Sequence, residues 1–103
     1  MQRDTLGPVF RALADATRRW YVECLTDGDV RLCEFRDIFP LSAQTVIHHL
    51  RVLEGCGLLS SRKEGPERLY GLRLERLEEV EAWLRSLRWR DYQPGRRSPL
   101  RYD

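Results

Sequence analysis

Between Leu41 and Leu59 the chain reads LSAQTVIHHLRVLEGCGLL, and SSRKEGPERLYGL follows at once. Few folds accommodate such a pair of segments. Ser42 is a good N-cap, because its hydroxyl can satisfy a free backbone N–H of a helix whose first turn is Ala43, Gln44 and Thr45. Val46, Leu50 and Leu53, joined by Ala43 and Ile47, recur at helical spacing and form an apolar face, leaving Gln44, Thr45, His48 and Arg51 mostly on the other. Gly55 and Gly57 bracket Cys56 where the helix should stop, since glycine tolerates the left-handed conformation that ends helices. Leu58 to Lys63 and Arg68 to Arg73 are two strands' worth of residues around Glu64-Gly65-Pro66-Glu67, whose Gly-Pro step marks a turn. A helix followed by a β-hairpin is the expectation.

A helix with free Gln, Thr, His and Arg side chains suits the major groove, where base edges present patterns of donors and acceptors. Arg62, Lys63 and Arg68 on the hairpin suit phosphates, whose contacts fix register and supply salt-sensitive affinity without reading sequence.

Upstream, Leu6, Val9, Phe10 and Leu13 fall at helical spacing, with Pro8 near the helix start, where proline is tolerated. Asp15 can cap a second helix with Ala16, Trp20, Cys24 and Leu25 inward and Arg18, Arg19 and Glu23 in solvent. After a short extended piece around Val30, Leu32, Phe35, Ile38 and Phe39 make another helical face that Pro40 closes. Only Pro40 and Leu41 then separate this helix from the Ser42 cap, so the two form a helix-turn-helix. Downstream, Leu77, Val80, Leu84 and Leu87 form a seam with Trp83 beside it. Glu75, Glu78, Glu79 and Glu81 lie early and Arg85, Arg88 and Arg90 late, matching the helix dipole. The first and last helices thus offer more apolar surface than one small core covers, and pairing with a second copy would cover it. Residues 91–103 hold Pro94, Gly95 and Pro99 and read as an extended tail that Trp89, Tyr92, Leu100 and Tyr102 could pin onto a protomer, leaving 1–90 as the domain.

At 103 residues one domain is expected. The net charge of +2 comes from 18 basic and 16 acidic residues, so position rather than overall charge must argue for nucleic acid. Leu41 to Arg73 holds five basic residues against three acidic ones, a modest excess that a dimer would double. No signal peptide and no long apolar run appears, which makes a cytoplasmic location the default and a membrane partner unexpected. Cys24, Cys33 and Cys56 lack any C-x-x-C spacing, so a disulfide framework is not expected. There is no Ser-His-Asp setting, phosphate loop or paired carboxylate, hence no enzyme and no cofactor is expected.

Ala12-Leu13-Ala14-Asp15-Ala16-Thr17-Arg18-Arg19, taken with Leu41 to Leu59, resembles the ArsR/SmtB family of bacterial winged-helix repressors over about residues 5 to 90. The resemblance implies a mainly α fold with a small β-hairpin, in α-α-α-α-β-β-α order. It also implies a homodimer through the first and last helices, and repression at a double-stranded DNA operator by binding an inverted repeat. The inducer stays unknown. The family's DNA-touching positions correspond to Ala43, Gln44, Ile47 and His48, but Ala43 and Ile47 stand where the family commonly has Gln and Ser. Ile47 can instead meet a thymine methyl. The DNA-contacting set expected is Ser42, Gln44, Thr45, Ile47, His48, Arg51, Arg62, Lys63 and Arg68. The dimer set is Leu6, Val9, Phe10, Leu13, Leu77, Val80, Trp83, Leu84 and Leu87.

The family's C-x-C metal site maps onto Arg31-Leu32-Cys33-Glu34-Phe35, which has one cysteine, and its other zinc site needs histidines that Leu74 to Arg90 lacks. No metal is therefore expected, and the chain looks like a non-metal-sensing branch. His48 and His49 are adjacent and point about 100° apart on a helix, which does not suit one ion. Two other readings stay open: a winged-helix adapter that binds protein through Trp20, Ile47 and the tail, and a sensor that responds to thiol chemistry or metal at Cys33.

Overall fold

The computed structural model describes residues 4–100. Helix α1 spans Leu6–Leu13, and it is Asp4 that closes its start, accepting from the Leu6 and Gly7 N–H groups at 3.1 and 3.0 Å. Helix α2, Ala16–Cys24, begins on Asp15, whose carboxylate accepts from the Arg18 N–H at 3.1 Å. Arg18 and Arg19 then reach back to the end of α1. Arg18 Nε donates to the Ala12 carbonyl at 2.7 Å and Arg19 donates to the Leu13 carbonyl at 2.6 Å. Those carbonyls are the unpaired acceptors at the negative end of the helix dipole, where cations are favoured. Arg18, expected in solvent, is mostly covered for this reason, with 18% of its side chain exposed.

A 3₁₀ turn over Leu25–Asp27 leads to strand β1, Val30–Arg31, and helix α3, Leu32–Ile38. Helix α4, Ala43–Gly55, follows the Ser42 cap, whose hydroxyl accepts from the Thr45 N–H at 3.2 Å. The end of α4 is a Schellman motif on Gly57 at φ +88°, in which Leu58 N–H bonds Leu53 O at 3.1 Å and Gly57 N–H bonds Glu54 O at 3.0 Å. Strands β2, Leu59–Glu64, and β3, Glu67–Leu72, pair antiparallel around Gly65-Pro66, with Gly65 at φ +61° as the first position of a tight hairpin turn. Helix α5 covers Leu74–Ser86.

The short extended piece around Val30 adds to the expected hairpin. Val30 pairs with Tyr70 and Arg31 with Leu69, giving a three-stranded sheet in the order β1-β3-β2. Gly71 leaves room there for Asp29, whose Oδ1 would lie 2.6 Å from any Cβ at that position.

The core is drawn from α1 through β3: Val9, Ala12, Tyr21, Leu25, Phe35, Phe39, Val46, Leu50, Leu53, Leu58, Leu59 and Tyr70 are all buried. Tyr21 is its aromatic centre, stacked on Phe39 at 4.1 Å and edge-on to Phe35 at 5.3 Å. This corrects the expected inward face of α2 in part: Leu25 is buried and Cys24 packs against the core as expected, but Ala16 and Trp20 are exposed and Tyr21 is not. The anchors explain the rotation: Arg18, bound to α1, lies one turn before Tyr21 and turns that side of the helix inward. On α3, Ile38 is likewise exposed while Phe39 is buried.

Candidate nucleic-acid interface

Helix α4 is anchored on one side by Val46, Leu50 and Leu53, all at 0% exposure. Gln44, His48 and Arg51 recur at four and three residues on the opposite side and are exposed. Ser42 and Thr45 are less free than a reading of residue types suggests. Their hydroxyls bond each other at 2.8 Å while the Ser42 oxygen also caps the helix. Ile47 is half-buried and helps line a groove of about 370 Å³ between α4 and the hairpin, with Leu32, Arg51, Glu54, Ser61, Arg68 and Tyr70.

The register of the hairpin divides its cations between two faces. Lys63 lies opposite Arg68 and Ser61 opposite Tyr70, so by strand alternation these four share the face toward α4. Arg62 belongs to the other face, where it meets Asp29 at 3.3 Å and Glu64 at 4.0 Å. Arg62 is therefore partly neutralised and separated from Lys63 and Arg68, although all three were expected to act together. Arg68 donates to Ser61 Oγ at 2.9 Å, and Ser61 donates to Glu54 Oε2 on α4 at 3.0 Å. This chain ties the wing to the reading helix. Glu54 and Ser61 escaped the sequence reading, although Glu54, three residues after Arg51, was a positional hint.

His49 turns inward and its Nδ1 lies 3.4 Å from the Tyr21 hydroxyl. Burial pushes its pKa below the ordinary histidine value; Arg18 and His48 act the same way, and Asp15 opposes them. Burial likewise pushes the Tyr21 phenol up to about 12, so it stays protonated and can donate to His49. The pair is packing, away from the exposed face of α4.

The expected dimer residues fall into two groups. Val9 is fully buried in the protomer core, which removes it from any intersubunit surface, and Leu13, Leu77 and Val80 pack partly against the same core. Phe10, Trp83, Leu84 and Leu87 are 40 to 50% exposed, and Leu6 is half-buried. Phe10 and Trp83 meet edge-on at 5.5 Å, and Thr5 donates to Glu79 at 2.7 Å, so α1 and α5 present one joint apolar surface. Trp89, Tyr92 and Leu100 are 58, 72 and 79% exposed, so the tail is not pinned onto its own protomer by these side chains; Tyr102 lies outside the described residues.

A helix-turn-helix of α3 and α4 followed by a sheet-borne wing defines a winged-helix domain. No family model matches the chain. It is 36% identical over 83 residues to the HTH-type transcriptional regulator Rv2034 of Mycobacterium tuberculosis, covering 76% of this chain and 78% of that one. It is 29% identical over 79 residues to the transcriptional repressor SdpR of Bacillus subtilis, covering 77% and 88%. Among solved structures, an ArsR-like transcriptional regulator from Rhodococcus sp. RHA1 matches with a TM-score of 0.73 at 31% identity, over 81% of this chain and 78% of that chain. The chain belongs to the ArsR-like family of helix-turn-helix transcriptional regulators. Among the described residues no helix is long and apolar enough to cross a membrane.

Proposed function

We propose that the protein is a homodimeric repressor that binds an inverted repeat in double-stranded DNA in the cytoplasm, with the two α4 helices in successive major grooves. The observation that carries this reading is the division of α4 into a face locked in the core and a face presenting Gln44, His48 and Arg51. Side chains of these types match donor and acceptor patterns on base edges, and Arg suits guanine in particular. Ile47 supplies an apolar contact for a thymine methyl at the groove beside the wing. Lys63 and Arg68 hold phosphates from the wing face that looks toward α4, and Arg62 acts from its far side. Ser42 and Thr45 set the start of the helix against the backbone of the duplex.

The dimer forms through the joint surface of α1 and α5, with Phe10, Trp83, Leu84 and Leu87 at its centre and Leu6, Leu13, Leu77 and Val80 beneath. Two-fold symmetry of the protein then requires a symmetric site with half-sites about one helical turn, roughly 34 Å, apart. Duplexes selected by the chain from a random pool test the reading. The expected product is an inverted repeat bound more weakly as salt rises, and the absence of any enriched sequence would contradict it.

A further inference from the structure

Beside the local excess of two over Leu41 to Arg73, this chain carries a second and denser positive segment beyond α5. Residues 88–100 hold four arginines and one aspartate, a net +3, whereas the 87 residues before them hold 13 basic and 14 acidic side chains, a net −1. Phosphate attraction scales with the cations brought to the duplex, so residues 1–87, net −1 as a whole, gain little long-range pull beyond the local excess at α4 and the wing.

The segment is built to project. Arg88 at φ +52° ends α5, a single 3₁₀ turn over Trp89–Asp91 follows, and every residue from Glu81 to Leu100 is exposed. Gln93-Pro94-Gly95-Arg96 then forms a turn in which the Arg96 N–H bonds the Gln93 carbonyl at 3.2 Å, with Gly95 at φ +83°. Proline second and a positive-φ glycine third are the type II pattern, and Arg96-Arg97 leave from it. Within the segment Arg88 pairs with Asp91 at 3.6 Å and Arg90 stacks on Trp89 at 4.8 Å. Arg96 and Arg97 meet no carboxylate among the described residues, and none occurs between Tyr92 and Leu100. The radius of gyration, 17.5 Å, exceeds the roughly 13 Å of a compact domain of this length, as a projecting arm requires.

We infer that residues 88–100 are a second nucleic-acid contact: a basic arm that lays Arg96 and Arg97 against the backbone and minor groove of duplex flanking the site read by α4. This rests on the DNA-binding reading above. The nine residues from Tyr92 to Leu100 span at most about 30 Å when extended, a length close to one turn of duplex. Two adjacent arginines in a Pro- and Gly-punctuated segment fit a narrow groove of enhanced negative potential, where guanidinium groups insert without reading individual bases. An anionic lipid surface is the competing partner for such a segment.

The test uses the full chain and the Arg96→Gln/Arg97→Gln double variant, whose altered side chains support no packing. Both are titrated by fluorescence anisotropy with a pool-selected duplex carrying long or trimmed flanks, and with phosphatidylserine–phosphatidylcholine vesicles. We expect the variant to bind the long duplex about tenfold more weakly at 0.1 M salt, with a salt slope shallower by about two per protomer. Trimming the flanks should weaken the unaltered chain and leave the variant nearly unaffected. Equal affinity and slope for the two proteins, or a difference confined to vesicles, would overturn the arm while leaving DNA binding by α4 intact. Failure of the unaltered chain to bind any duplex would overturn both.

Discussion

The two ends of this molecule are finished to different degrees. At the reading end, α4 and the wing are locked by three fully buried α4 side chains, a Schellman exit, and the Glu54–Ser61–Arg68 chain of hydrogen bonds. At the other end, α5 has no buried residue, and Leu84, Leu87 and Trp83 stand 42 to 50% exposed beside Phe10. Burying such side chains is worth about 25 cal/mol per Å² of apolar surface. The reading end obtains that stabilisation within the protomer, whereas α5 obtains only part of it there, through Leu77 and Val80, and its outer face needs another surface. A reader that must hold its side chains in a groove gains from preorganisation. A surface that sets half-site spacing must instead fit a second copy.

The contrast can be broken from either side. The largest effect is expected from Trp83→Glu or Leu84→Glu, which puts charge into the unfinished surface. The protomer should keep its helical circular dichroism and sediment as a monomer, while DNA affinity falls by about 10² to 10⁴ as bivalent binding is lost. Leu50→Ala strikes the finished end and should cost about 3 kcal/mol of folding stability in a denaturant titration, because the cavity has no solvent to fill it. If Leu84→Ala destabilised the isolated protomer equally, the distinction between the ends would be lost.

Ser61→Ala removes the link between wing and α4, and a loss of about 1 kcal/mol in stability together with a few-fold weaker DNA binding is expected. Glu54→Gln should cost less, because an amide can still accept from Ser61. The smallest effect concerns pH. Because burial lowers the His49 pKa, the fold favours neutral imidazole and binds fewer protons than the unfolded chain between the folded value and about 6.5. Stability is therefore complete above about pH 6.5 and falls as pH drops from there toward the folded pKa. Asp15 acts in a lower window. Its pKa is lowered, chiefly by the Arg18 N–H bond, so its contribution is present above about pH 3.9 and disappears as pH falls through the folded value. Urea titrations of the unaltered chain and His49→Gln between pH 5 and 8 would test the first slope, which the variant should lack.

The features legible in the sequence were local ones. The caps at Asp15 and Ser42, the stop at Gly57 and the Gly65-Pro66 turn each depend on a few neighbouring residues, and each forms where the residue types require it. What the sequence left hidden depended on distant partners. The extended piece around Val30 is legible, but its pairing with Tyr70 and Leu69 in a third strand is not. The four-residue spacing of Ala16, Trp20 and Cys24 points to Trp20 rather than Tyr21 as the inward aromatic, and only the attachment of Arg18 and Arg19 to α1 sets the rotation of α2. At the site, residue types gave the polar face of α4. They did not reveal that Ser42 and Thr45 occupy each other, or that strand register sends Arg62 to the opposite face from Lys63 and Arg68.

If the unfinished α1–α5 surface joins two copies of the chain on one duplex, protein and DNA should associate two to one. Sedimentation velocity of the chain with a labelled, pool-selected duplex, repeated across salt concentrations, reads that stoichiometry. Two copies per duplex, bound together and released as salt rises, is the expected result; one copy per duplex, or binding indifferent to salt, would contradict it.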